Sequence, residues 1–383
     1  MTSSTARERS PSFSLADSLA PGAEVTIEAD PGTFGPDELR EWRRLGVTRV
    51  SLGVQALDPV VLAAAGRTHT AHDAELALAA VKVATAADAN ASSAVAADGA
   101  PALASWSLDL IAGLPLLTAE RWEACLDRVV TDLRPPHVSV YDLTLEPGTP
   151  FGDTYLGPDN GGQPRPSSLS PLPPPPLPSH DASAAQLRRA ATVLEAAGYE
   201  RYEVSSFALP GHRSRHNQVY WSGGSYAALG NGASSLQDGR RTARPRRVAD
   251  WERWVVALER RGDGCAAAVD VDADDAAGAP PPPPDPPGEV LLDATMLRLR
   301  TSDGLRLDEV EARWGASAAD ALRSALEPHA IAQPPRTAFL EGGARARLTD
   351  PDGFLVCNGI LADCFAALQR AGVAEGAADG DSL

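Results

Sequence analysis

Four side chains of this chain could recognise a polar small molecule if the fold brought them together. Glu28 closes the apolar run VTIE, Gln55 closes RVSLGVQ, Asp109 lies inside WSLDLIA, and Arg67 follows a short helical stretch after Gln55. Glu146 stands just beyond a fourth run, HVSVYDLTL. A carboxylate can accept bonds from two hydroxyls, an amide both donates and accepts, and a guanidinium matches a carboxylate with two parallel bonds. One polar residue at a strand end is ordinarily a cap or a turn former. Several on one face would each need a partner, and a ligand with hydroxyls, an amine and a carboxylate would supply them.

The elements that must position these groups are legible in outline. Strands are expected over residues 25–28, 49–55, 106–112 and 137–145, with Val50, Leu52 and Val54 alternating with small residues, as packing on both faces would allow. Helices are expected from Pro36 to Gly46, over 58–65, 71–83 and 119–133. Such alternation means βα units around a parallel sheet or barrel, in which ligands gather at the carboxyl ends of the strands. Further on come a helix over 183–197, a strand over 201–207, the stretch RHNQVYW (215–221) and the glycine-rich ALGNGAS. From Glu289 the sequence is helix-rich, with a short hairpin expected near 344–354.

Composition narrows the function. A formal charge of -17 over 383 residues argues against a nucleic-acid or anionic-membrane surface, and no apolar run reaches the length of a transmembrane helix. Four cysteines, at 125, 265, 357 and 364, make neither a disulfide framework nor a CxxC pair, which points to a reducing compartment. Cys125 and Cys364 fall in apolar helical patterns that only need them for packing. Residues 84–104, 157–180 and 262–288 are Ala-, Pro- or Gly-rich and cannot bury enough apolar surface to offset ordering entropy. They read as surface insertions or as ligands for proline-binding domains. Residues 1–22 read as a disordered or transit-like terminus.

The phrases VTIEADPGT, RVSLGVQALD, GRTH, LDLIAGLP, LTLEPGTPF, YERYEVSSFA, RHNQVYW and LGNGASS occur in this order. Together they resemble the HemW-type radical S-adenosylmethionine heme chaperones and the related oxygen-independent coproporphyrinogen III oxidases, over residues 23–155, 181–261 and 288–368. The resemblance implies an α/β fold: a partial (β/α) barrel over 23–155, a Pro-rich insertion over 156–182, an HNxxYW region over 183–261, a linker over 262–288 and a helix-rich domain over 289–372. It implies S-adenosylmethionine held by Glu28 at the ribose, by Gln55 and Arg67 at the methionine end, and by Asp109. It also implies heme near His216, Tyr220 and Trp221, with a heme-acceptor protein as partner. A histidine nitrogen is a natural axial ligand for heme iron, and equally a residue that packs or hydrogen-bonds in a core.

The family also carries a [4Fe–4S] cluster on a CxxxCxxC loop after its first barrel strand. That motif is absent here, and the first two barrel strands are missing from the match. The expectation is therefore an incomplete gene product or a cluster-free paralogue, with the strand over 25–28 as a sheet edge. Ser234 also departs from the family, which commonly has His in that phrase. Heme binding and transfer in the cytoplasm is the expected function, with a mitochondrial or chloroplast location as the alternative. A coproporphyrinogen oxidase or an inactive relative are the other readings.

Overall fold

The computed structural model describes residues 19–85, 100–156, 174–237, 239–261 and 285–374. Cys265, the first 18 residues of the transit-like segment and most of the three insertions lie outside the described residues. The chain divides into two units, one of residues up to 200 with 205–212, the other of 201–204 with residues from 213 onward.

In the first unit, β1 (Thr26–Ala29), β2 (Arg49–Gln55), β3 (Ser105–Ala112) and β4 (His137–Asp142) are parallel neighbours in that order. β1 forms one edge of the sheet among the described residues. Helices α1 (Pro36–Arg44), α2 (Pro59–Ala64), α3 (Ala71–Thr85) and α4 (Ala119–Arg128) connect the strands. Val50, Leu52, Val54, Leu108, Leu110 and Val138 share one buried core with Leu39, Leu62, Leu78 and Leu126 of these helices. Helix starts follow the sequence signals: Pro36 stands at the first turn of α1, and the Asp58 carboxylate accepts from the backbone N–H groups of Val60 and Val61.

Because strand side chains alternate, the opposite face of the sheet receives Arg49, Ser51, Gly53 and Gln55 from β2, Ser105, Ser107 and Asp109 from β3, and His137 and Ser139 from β4. The register aligns them in rows: Glu28 lies opposite Ser51, Ser51 opposite Ser107, and Asp109 opposite Ser139. Arg49, Ser51, Ser105, Ser107, His137 and Ser139 are all buried. The expected packing of β2 on both faces holds, with Arg49, Val50, Ser51 and Leu52 all buried. Its small residues make one face that is polar and buried.

A buried glutamine fixes the turn after β3. α5 (Pro150–Leu156) and α6 (His180–Ala196) follow β4, and Gln186 of α6 accepts from Gly113 N–H at 2.8 Å and donates to the Leu117 carbonyl at 2.8 Å. The Trp122 indole N–H donates to the Gln186 carbonyl at 2.8 Å.

The strand expected over 201–207 is two short ones, β5 (Glu200–Arg201) and β6 (Ser206–Ala208), and β6 pairs antiparallel with β4. The residues between them leave the sheet because their backbone is engaged elsewhere: Glu203 bridges Thr301, and Ser302 N–H donates to the Tyr202 carbonyl at 3.0 Å. β4 also ends at Asp142, short of the expected Leu145.

The second unit begins with α7 (Arg215–Trp221), the hairpin β7 (Ser234–Gln237) and β8 (Arg240–Ala243), and α8 (Val248–Arg261). α9 (Pro287–Leu299), β9 (Leu305–Arg306), α10 (Leu307–Trp314) and α11 (Ala316–Ala330) follow, then β10 (Thr337–Leu340), β11 (Arg345–Leu348), α12 (Asp352–Leu355) and α13 (Cys357–Arg370). Leu291, Leu299, Leu322, Leu326, Ile360 and Leu368 form its core. The hairpin expected near 344–354 lies earlier, as β10 and β11, because Glu341, Gly342 and Gly343 adopt positive φ and reverse the chain there.

His137, 1% exposed, carries a pH dependence. Burial, aided by the charges of Arg49 and His212, holds its pKa down at about 3. The folded pKa lies below the unfolded value, so the unfolded chain binds the extra proton first. Stability from this group is complete above about pH 6.5 and is lost as pH falls toward 3, by up to ~1.4 kcal/mol per pH unit. Urea unfolding of the wild type and His137→Gln across that window should show this component of the slope only in the wild type; equal slopes would contradict it.

Candidate functional site

Three of the four candidate residues of the first unit line one cleft. Its volume is about 230 Å³, and Glu28, Asp30, Ser51, Gly53, Gln55 and Asp109 form its walls with Ala29. It lies toward the carboxyl ends of β1, β2 and β3, where a parallel α/β sheet presents its ligands.

Gln55 is held there by a strained turn. Its φ is +66°, a left-handed value that residues with a β-carbon rarely adopt, and Ala56 N–H donates to the Val54 carbonyl at 2.8 Å around it. This is the positive-φ form of the γ-turn, with a cost of about 1–3 kcal/mol. The pairing of β2 with β3 shifts register between Leu52 and Gln55, as a bulge that re-aims a side chain does. His69, from the GRTH phrase and itself buried, places Nε2 3.1 Å from the same Val54 carbonyl. A carbonyl only accepts, so Nε2 carries the proton.

Asp109 is fixed by hydroxyls. Ser51 donates to Asp109 Oδ2 at 3.0 Å and lies 2.6 Å from Ser107 Oγ. Ser51 has one proton to give, so Ser107 donates to Ser51. Burial raises the Asp109 pKa; the Ser139 and Ser51 hydroxyls and the Arg49 charge oppose the rise, and Glu28 adds to it. Two buried acceptors in this cleft, Gln55 Oε1 and Asp109 Oδ1, have no hydrogen-bond partner among the described residues. The site therefore calls for a ligand rich in donors.

Arg67 reaches the cleft through Asp30. Its Nη2 donates to Asp30 Oδ1 at 2.7 Å, and its Nε is buried without a partner. A β-carbon on Gly53 would stand 2.6 Å from Asp30 Oδ1 and 3.1 Å from Gln55 Nε2, so glycine leaves room for both side-chain ends beside the strand. Asp30, Ser51 and Gly53 were not singled out from the sequence. The alternation from Arg49 to Gln55, and Asp30 standing two residues after Glu28, were the signals.

In the second unit the candidate residues separate. The His216 and Tyr220 rings meet edge to face at 4.8 Å, and Tyr220 meets Tyr226 at 4.5 Å, which makes an aromatic ledge. His216 is exposed, and Val219 on the same helix is partly exposed. Trp221 belongs elsewhere, lining a cavity with residues of β7 and α9. Tyr226 was not anticipated.

No family model matches the chain. The heme chaperone HemW of Synechocystis sp. is 34% identical over 364 residues, an alignment covering 92% of this chain and 76% of that protein. The chain belongs to the HemW family. The heme chaperone HemW of Escherichia coli is 37% identical over 226 residues, 58% of this chain and 50% of that protein. The mitochondrial radical S-adenosyl methionine domain-containing protein 1 of Mus musculus is 34% identical over 216 residues, 56% of this chain and 41% of that protein. Against these two relatives the chain thus spans half of the length or less. Among solved structures, the coproporphyrinogen III oxidase HemN of Escherichia coli, a radical SAM enzyme, superposes with a TM-score of 0.59 at 20% identity, covering 90% of this chain and 69% of that one. That likeness shows the fold: a mixed α/β unit with a parallel sheet, followed by a helix-rich unit.

The described cysteines of this HemW family member do not fit an iron–sulfur cluster. Cys125 packs in the core of the first unit, Cys357 and Cys364 in that of the second. Burial pushes the thiols of Cys125 and Cys364 up to about 12 and raises that of Cys357. Among the described residues no group of three His, Cys, Asp or Glu could hold a metal ion.

The turn at Gln55 gives a direct test of strain. Gln55→Ala and Gln55→Gly both remove the amide, but alanine keeps the β-carbon at positive φ. The glycine variant should be the more stable by roughly 1–2 kcal/mol in denaturant unfolding. Equal stabilities would show that the turn relaxes.

Proposed function

We propose that this chain binds heme for transfer and holds S-adenosylmethionine in the cleft of its first unit. The observation that carries the cofactor half is the pair of orphaned buried acceptors, Gln55 Oε1 and Asp109 Oδ1. S-adenosylmethionine offers donors that answer them, through its ribose hydroxyls and α-ammonium group. In this reading Glu28 takes the ribose, Gln55 and Asp109 take the remaining donors, and Arg67 turns toward the methionine carboxylate while Asp30 holds its other edge. When bound, the molecule supplies an activated sulfonium at the ends of the strands.

The cargo half rests on the aromatic ledge. An exposed imidazole beside two tyrosine rings can ligate iron while the rings contact the edge of a flat macrocycle. An exposed ligand also suits release to an acceptor protein. No described helix is long and apolar enough to cross a membrane. The cytoplasm, or the interior of an organelle, is the proposed place of action.

Titration with hemin should give a Soret shift that His216→Ala alters; identical spectra would remove His216 as the ligand. Calorimetry with S-adenosylmethionine should give binding that Asp109→Asn weakens roughly tenfold. An unaltered affinity would take Asp109 out of the cofactor site.

A further inference from the structure

The cavity lined by Trp221 lies wholly in the second unit and has a volume of about 210 Å³. Trp221, Leu236, Val290 and Leu297 give it apolar surface. Arg241, Arg298 and Arg313 stand around it with Asp285 and Asp293. Two of these charges are already matched, because Arg241 is ion-paired with Asp293. Asp285 lies just before α9, where the helix dipole favours a negative charge.

Set against the one remaining carboxylate, Asp285, the groups left over are an excess of donors. Trp221 Nε1 is buried without an acceptor. Among the described residues Arg298 and Arg313 have no carboxylate partner, and the Arg313 guanidinium lies over the Trp314 ring at 4.5 Å. A buried N–H without an acceptor is costly, and guanidinium groups beside an apolar wall select a carboxylate carried on an apolar body. A neutral apolar ligand would leave the indole N–H unpaired. A cation would meet the two free guanidinium groups.

His216 and Trp221 stand five residues apart, with Trp221 the last residue of the helix. They differ by a rise of about 7.5 Å and a turn of about 140°, and a macrocycle that reaches from one to the other passes the helix's carboxyl end. A macrocycle whose iron is ligated by His216 carries carboxylate side arms on its rim. We propose that this cavity seats one carboxylate arm of that tetrapyrrole, with Trp221 Nε1, Arg298 and Arg313 as its donors. The proposal rests on the heme-binding reading above. In it Trp221 serves through its N–H, and the ledge of His216, Tyr220 and Tyr226 serves the ring and its iron.

Hemin and hemin dimethyl ester, whose carboxylates are capped, separate the two readings. With the full chain, Soret titrations should give wild-type protein a preference for hemin over the ester of roughly tenfold or more. Trp221→Phe, which keeps the ring and removes the donor, and Arg298→Gln should each collapse most of that preference, with circular dichroism confirming that the variants fold. Equal wild-type affinities for the two ligands would overturn the carboxylate seat while leaving heme binding intact. So would a preference that survives both substitutions. Absence of any hemin binding would overturn both readings together.

Discussion

Burying hydroxyls, a guanidinium and an imidazole on one face of a parallel sheet is tolerable only where they satisfy one another, and strand register does much of this here. Parallel pairing brings Ser51 opposite Ser107 and Asp109 opposite Ser139, so the hydroxyls fall within reach of each other and of the carboxyl group. Ser107 gives its proton to Ser51, and Ser51 gives its own to Asp109 Oδ2. The chain of donors has a direction, and it runs toward the cleft. Asp109 is left with one oxygen committed to the protein and the other open. The apolar face of the same strands makes this possible, because Leu52, Leu108 and Val138 anchor the register against the helices.

The cleft joins this hydroxyl network to a strained rim. Val54 ends the regular part of β2 and its carbonyl serves two donors, the N–H of Ala56 and the ring of His69. Those two bonds hold Gln55 in a conformation that a free strand end would leave. The strand and the GRTH phrase thus act as one device. Arg67 and His69, two residues apart, face different tasks: one grips Asp30 in the cleft, and the other braces the turn behind Gln55.

Local periodicity made the parallel strands and their helices legible, because β2, β3 and β4 combine β-branched and leucine residues at alternate positions with clear helix-start signals at Pro36 and Asp58. Gln55 and Asp109 were visible as polar interruptions of apolar runs. Ser51 and Gly53 were not, since small residues in a strand fit apolar packing as readily as a polar row. Only register decides between the two. The break between β5 and β6 was hidden for a similar reason. YERYEVSSFA has a strand's composition, but the backbone of Tyr202 and Glu203 is taken by Thr301 and Ser302, a hundred residues away. Sequence adjacency did not show that Trp221 lines a cavity of its own, apart from the ledge of His216 and Tyr220. Five residues along a helix turn a side chain well away from the first.

Gly53 leads to a consequence for how the cleft can be adjusted. The space its missing β-carbon leaves is approached from one side by the Asp30 carboxylate and from the other by the Gln55 amide. Both are the far ends of side chains, so a small residue at 53 would turn the Asp30 carboxylate aside, and its ion pair with Arg67 would move with it. Bulk added at one strand position is thereby passed to a guanidinium that the strand does not carry.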